Sequence, residues 1–180
     1  MPDPRQPPRS WTSRDSHFGQ PLSRRSIFNS SLYDEIVALV EKYGIEPRLF
    51  RIEVTESSYT ENIDLVISMV TRLQDYGFTV LMDDFGSGYS SFNAFSDIPV
   101  DILKADMVFM RNLERNPRVA SVFTSIVNMA HSLGIPVIAE GVETQEQYEF
   151  LHSVGCDYAQ GYYCARPMDP DAFEAHVDGR

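Results

Sequence analysis

The sequence predicts an α/β protein of the (β/α)8 TIM-barrel type, as an N-terminally truncated partial barrel. Two patterns carry this reading. Stretches with a two-residue apolar period alternate with stretches of helical period from about residue 31 onward. An ionisable or amide group also stands at or near the C-terminal end of each of five successive strand segments: Glu53, Asp83 with Asp84, Lys104, Glu140 and Gln160. Regular strand–helix alternation implies parallel strands joined by right-handed crossovers. An open doubly wound sheet and a barrel both satisfy that rule. In an open sheet such groups would spread along one edge, and only those at a switch point would meet. In a barrel they converge on one mouth, so five consecutive contributions favour the barrel.

The elements follow in order. Residues 1–20 read as a disordered tail unrelated to the rest, with Pro2, Pro4, Pro7 and Pro8 among the first eight residues and Arg and Ser filling much of the remainder. Trp11 and Phe18 are its large apolar residues. Residues 21–180 read as one domain. Ile36, Val37, Leu39 and Val40 form the apolar face of a helix that Gly44 would close. Leu49 to Glu56 is a strand with Phe50, Ile52 and Val54 on one face and Arg51, Glu53 and Thr55 on the other. Glu61 to Tyr76 is an amphipathic helix through Ile63, Val66, Ile67, Val70 and Leu73, and Phe78 to Met82 is the next strand. A short helix over 90–95, a strand over Asp101–Ala105 and a long helix from Pro117 through Leu133 come next. Pro136–Ala139 is a strand. Thr144 opens a helix with Gln147 three residues on, the pattern of a capping box. Tyr158–Tyr163 and Asp169–Val177 are the last strand and helix.

Charge and cysteine usage bound the function. The chain has 180 residues, 43% of them apolar, and a formal net charge of −11. Residues 1–25 hold five arginines against two aspartates, a net of +3 that leaves −14 for the body. So acidic a body argues against nucleic acid as a partner, but a phosphate ligand is reachable through divalent cations. Cys156 and Cys164 are the only cysteines and show no CxxC spacing, which fits reduced thiols in a cytoplasmic setting. There is no apolar run of transmembrane length and no signal-peptide core.

The stretch from Leu81 to Ser91 carries the sharpest chemical signal. An apolar run ends in adjacent carboxylates, Asp83 and Asp84, followed by Phe85, Gly86 and Gly88. Neighbours on a strand point to opposite faces, so the two can cooperate only where the strand ends and turns. Two like charges about 4 Å apart repel by roughly 4 kcal/mol at an effective dielectric near 20. The pair is therefore solvated in a turn, partly protonated, or holding a cation. Four carboxylates and a lysine gathered at one mouth have the composition of a two-metal site, with oxygen donors suited to hard divalent ions.

The motifs Glu53-Val-Thr-Glu-Ser57, Asp83-Asp-Phe-Gly-Ser-Gly-Tyr-Ser-Ser91, Leu103-Lys-Ala-Asp106, Ala139-Glu-Gly-Val-Glu-Thr144, Gln160-Gly-Tyr162 and Arg166-Pro-Met168 resemble those of the EAL domain family, the bacterial cyclic-di-GMP phosphodiesterases, over roughly residues 22–177. The resemblance implies a barrel that opens cyclic-di-GMP to linear pGpG with two Mg²⁺ or Mn²⁺ ions. Glu53, Asp83, Asp84 and Glu140 would be metal ligands, with Asp83 bridging. Lys104 would hold the attacking water and the phosphate, with Lys104 and Glu140 the catalytic pair, and Gln160 would face the substrate. Glu56 and Glu143 would support these groups, Glu56 anchoring a loop from Phe85 through Gly86 and Gly88 to Ser91 that moves as substrate and metal enter.

The chain departs from the family pattern in two ways. The signature Glu-Ala-Leu tripeptide, whose glutamate is a family metal ligand, does not occur, and Pro21 stands where the family has an asparagine ligand. The expectation is a chain that starts inside a longer coding region, with impaired or absent phosphodiesterase activity. The alternatives are a catalytically dead module that binds cyclic-di-GMP or a protein partner, and a gene remnant without function. Bare strand edges would favour a homodimer or pairing with another EAL chain.

Overall fold

Strict alternation over Phe50–Thr55 buries Ile52 and Val54 and leaves Arg51, Glu53 and Thr55 on the opposite face. That strand belongs to a six-stranded, all-parallel sheet in a computed structural model of the chain. The structure describes residues 18–22 (backbone only), 31–55, 63–87 and 97–178 (backbone only at 177–178). In chain order the elements are β1 (Phe18–Leu22), α1 (Leu32–Tyr43), a 3-10 turn (Pro47–Leu49), β2 (Phe50–Thr55), α2 (Ile63–Tyr76), β3 (Thr79–Phe85), β4 (Ile102–Ala105), α3 (Val108–Asn112), α4 (Pro117–Ser132), β5 (Val137–Glu140), α5 (Gln145–Ser153), β6 (Tyr158–Gln160) and α6 (Pro170–Asp178).

The strands lie side by side in sequence order, β1 to β6. A doubly wound sheet reverses its order at a switch point, and this one does not. Its two faces also differ. One carries the main core, in which Ile52, Val54, Val80, Met82, Leu103, Ala105, Val137 and Ala139 pack with Val66, Val70 and Leu73 of α2, Phe123 and Val127 of α4 and Leu151 of α5. The other carries a small cluster drawn from strands alone: Leu81, Ile102 and Ile138, with Tyr158 against it. Helices on one face and a strand-only cluster on the other is barrel-type construction. Among the described residues the sheet is open, with β1 and β6 at its edges.

Local chemistry sets the helix ends. Gly44 closes α1 in the left-handed conformation at φ 63. Asn116 caps α4, accepting from the Arg118 N–H, with Pro117 in the first turn. Thr144 and Gln147 make the expected capping box on α5. The face of α2 that carries Val66, Val70 and Leu73 is at most 1% exposed, and each such side chain is stabilised by about 1.5–3 kcal/mol on burial.

One expectation changes. Phe18–Leu22 is a strand paired in parallel with β2, so order begins inside the stretch expected to be a disordered tail; the remainder of that tail, Trp11 included, lies outside the described residues. The signal was hidden because Gly19, Gln20 and Pro21 have poor strand propensity, and pairing with the β2 backbone overrides it. Pro21 is tolerated because β1 is an edge strand of the described sheet. The short helix α3 has no counterpart among the expected elements. Asp106 accepts from the Val108 N–H at 2.7 Å, and its position after a strand and before an apolar pair was the available signal. The helix expected over 90–95 lies outside the described residues.

Candidate active site at the strand ends

The apolar cluster of Leu81, Ile102, Ile138 and Tyr158 makes a floor. Side chains two residues apart on a strand share a face. Stepping two residues along β3, β4, β5 and β6 from that floor gives Asp83, Lys104, Glu140 and Gln160. Glu53 is the corresponding inward residue of β2, paired in register with Leu81. The charged layer is thus the next level of the interior, towards the strand C-termini, where barrel sites lie.

Lys104 stands at its centre. Its Nζ lies 2.7 Å from Glu140 Oε1, 3.1 Å from Glu53 Oε1 and 3.1 Å from Asp83 Oδ1. The lysine is 6% exposed and Asp83 8%. Burial by itself pulls the Lys104 ammonium down. The hydrogen bond that Lys104 donates to Glu140 and the charges of Asp83, Glu140 and Glu53 outweigh it, so the net shift is upward and the group stays charged. Glu140 is raised, first by burial and then by Asp83 and Glu53, with Lys104 opposing. Asp84 is raised by burial and by the charges of Asp83, Asp106 and Glu53, again with Lys104 opposing. Upward-shifted acids around one ammonium mark a pocket short of positive charge.

A bulge lets the adjacent aspartates act together. The β3–β4 register shifts between Met82 and Phe85, and Asp84 has a φ of 59, the only non-glycine residue in the left-handed region among those described. Met82 and Phe85 both join the helix-side core, so Asp84 is the extra residue. Its N–H donates to Asp83 Oδ1 at 2.9 Å, which holds the Asp83 carboxylate in place. At Gly86 the chain turns with φ 92, and a Cβ there would sit 2.5 Å from ring carbons of Phe109. Only glycine fits that turn.

The structure therefore brings together Glu53, Asp83, Lys104 and Glu140, with Asp84 beside them. Gln160 pairs in register with Glu140, but it is exposed and makes its hydrogen bond through its backbone carbonyl, which accepts from the Val142 N–H at 3.1 Å. Glu143 is exposed as well, and its N–H donates to Gln147 Oε1 at 2.7 Å. Phe85 is a core residue, 1% exposed. Glu56 and Gly88 lie outside the described residues. Asp106, one of the charges acting on Asp84, had no role in the sequence reading although it closes the Leu103–Asp106 motif.

The donor set is all carboxylate oxygen, which suits Mg²⁺ or Mn²⁺ rather than a softer ion. Four carboxylates against one ammonium leave a negative excess, and the lysine nitrogen stands in as the cation on which three of them converge. Among the described residues no three acid, histidine or cysteine side chains close on a point of their own. An ion bound here must share its ligands with Lys104.

A family model described as EAL domain matches residues 6–167, starting ahead of the boundary expected near residue 21. The cyclic di-GMP phosphodiesterase PA2567 of Pseudomonas aeruginosa is 35% identical over 153 residues, which cover 85% of this chain and 26% of that protein. The chain spans less than half the length of the curated relatives it matches. The PaMucR phosphodiesterase in complex with c-di-GMP superposes with a TM-score of 0.82 at 31% identity, over 87% of this chain and 63% of that one. A manganese and cyclic-di-GMP complex of Klebsiella pneumoniae BlrP1 gives 0.75 at 28% identity, over 81% and 38%. No helix among the described residues is long and apolar enough to cross a membrane. With a matched span of this length, a barrel-type parallel sheet and a charged layer at the strand ends, the chain belongs to the EAL domain family.

Proposed function

We propose that this chain forms the greater part of a metal-dependent phosphodiesterase site for cyclic-di-GMP. The observation that carries the reading is Lys104 Nζ within 3.1 Å of Glu53, Asp83 and Glu140 at the ends of neighbouring strands. Glu53, Asp83, Asp84 and Glu140 would hold the divalent ions, Mg²⁺ or Mn²⁺, of which manganese is named for the BlrP1 complex. Ions bound there supply Lewis-acid polarisation of a phosphate and a lowered pKa for water. The residues of the chain do the rest. Lys104, held charged, has its three donors on Glu53, Asp83 and Glu140 and would give one up to a phosphate oxygen or to the water that attacks phosphorus. Glu140 hydrogen-bonds that ammonium and aims it. The water oxygen bonds to phosphorus as one phosphorus–O3′ bond breaks, one water proton goes to O3′ and the other stays with the new phosphate, and linear pGpG results.

One feature supports a second reading, a module that binds the dinucleotide without cleaving it. Pro21 is the register partner of Glu53 across the β1–β2 pair. Proline has no side-chain oxygen to offer, so the donor set is thinner on that side of Glu53. Chromatography of cyclic-di-GMP incubated with the chain and Mn²⁺ separates the two readings. Conversion to pGpG that is lost in Glu53→Ala supports the phosphodiesterase. Calorimetric binding of cyclic-di-GMP with no product supports the binding module, and neither binding nor product overturns both.

A further inference from the structure

Three polar or charged side chains are buried in the described part of the molecule: Asp83, Lys104 and Gln147. The first two belong to the charged layer. Gln147 does not, and capping alone does not account for it. Its Oε1 accepts from the N–H groups of Glu143, at 2.7 Å, and Thr144, at 3.2 Å, which completes the start of α5. Its Nε2 turns the other way and donates to the carbonyl of Met110 at 3.2 Å, in a buried bond that spans 37 residues of sequence. Met110 lies in α3, the helix that follows the Lys104 strand. Glu143 and Thr144 end the loop that follows the Glu140 strand. One amide thus joins the segments that leave the site from its two most closely paired charges.

That bridge lies where the sheet itself does not reach. The β4–β5 register runs Leu103↔Val137, Lys104↔Ile138 and Ala105↔Ala139, and stops one residue short of Glu140. Beyond that pair Glu140 is laddered to Gln160 of β6 alone, so on the β4 side its spacing from Lys104 depends on the loops above. There Gly141, at φ 72, lies so close to Met107 that a Cβ would come within 2.6 Å of the Met107 Cβ. The Gln147–Met110 bond closes the same junction from the helix side. Ligand and catalytic groups held by such outer contacts typically lose 10–100-fold in affinity or activity when those contacts are removed.

We propose that Gln147 is a positioning residue: by tying Met110 to the Glu143–Thr144 turn, it sets the distance between Lys104 and Glu140. The consequence for catalysis rests on the phosphodiesterase reading, whereas the geometric claim does not. The chain contains two lysines, Lys42 and Lys104. With ¹⁵N-lysine labelling, nuclear magnetic resonance therefore follows the buried ammonium directly in metal-free protein, and exposed Lys42 serves as the reference. Two variants are compared. Gln147→Met removes the whole network. Gln147→Glu keeps the acceptors for the cap and loses the donor to Met110. We expect the Lys104 ammonium protons to exchange with water slowly in the parent chain and at least about tenfold faster in both variants, as local opening weakens the shared bonds. Calorimetry on the same samples should show Mn²⁺ binding about tenfold weaker, and hydrolysis should fall in kcat more than it rises in KM. A purely structural glutamine would lower the melting temperature and leave Lys104 exchange unchanged. Parent-like exchange in Gln147→Glu overturns the proposal whatever the metal data show. A parent chain that neither binds Mn²⁺ nor hydrolyses the substrate overturns the functional reading alone.

Discussion

Carboxylates stand at both ends of this sheet and are satisfied in opposite ways. At the strand N-termini, Asp101 precedes β4 and its Oδ2 accepts from the Val80 N–H at 2.8 Å. Asp157 precedes β6 and repeats the contact on Val137, also at 2.8 Å, while His131 Nε2 lies 2.8 Å from the same oxygen. Each of these acids fastens the start of the strand before its own, where a parallel strand has an unpaired N–H. At the strand C-termini, Asp83 accepts only from the N–H of its own neighbour, Asp84, and Glu53, Asp83 and Glu140 together crowd one ammonium. The lower acids are satisfied by the fold. The upper acids outnumber the ammonium they share, which is how charged groups are left when a site must receive something from outside.

Four experiments can break or sharpen that contrast, and they descend in size. Lys104→Met should have the largest effect, since it leaves three carboxylates facing one another in a confined pocket. Removing one partner of a buried charge pair costs about 3–5 kcal/mol, and denaturant melts of the metal-free protein should show a loss of that order. Added Mn²⁺ should restore part of it. A variant as stable as the parent would mean that the lysine is not the counter-ion of the pocket.

Asp157→Ala comes next. It frees the Val137 N–H and removes the partner of His131, for an expected loss of about 1–2 kcal/mol. Mn²⁺ affinity should not change, because the contact is at the opposite end of the sheet from the charged layer. Altered metal binding would show that the two ends are coupled.

A third and smaller effect depends on pH. The Cys156 thiol is pushed up to about 12, chiefly by burial, against backbone hydrogen bonds at Tyr158, Ala139 and Asp157 that favour the thiolate and lower it. The folded state keeps this proton where the unfolded chain, with an ordinary value of 9.0, releases it. Its contribution is therefore fully present below pH 9 and declines as pH rises from 9 towards 12. Between pH 8 and pH 10 the parent should lose about 1 kcal/mol that Cys156→Ala does not lose. Equal slopes for the two chains would count against the shift.

Glu53→Gln should be the smallest. Removing one negative charge from a pocket that holds a surplus should leave metal-free stability within about 0.5 kcal/mol of the parent, or raise it, while Mn²⁺ binding falls. If its loss of stability matches that of Asp157→Ala, the distinction between the two ends fails.

Much of this was legible in the order of residues. The two-residue period of Phe50, Ile52 and Val54, the helical spacing of Val66, Val70 and Leu73, the capping box at Thr144 and Gln147, and the placing of Glu53, Asp83, Lys104 and Glu140 near strand ends all follow from local periodicity and short-range chemistry. Those signals lie within a few residues of one another, which is the range over which sequence patterns act. The tertiary structure decided the rest. β1 is a strand because the β2 backbone recruits it, although Pro21 argues otherwise. Asp84 joins Asp83 because a bulge turns it, and no side-chain pattern marks where a ladder slips. Lys104 proves to be the hub of three carboxylates, and Gln147 a bridge across 37 residues. Each depends on partners far apart in the chain, whose meeting is set by packing and strand register rather than by anything the residue carries itself.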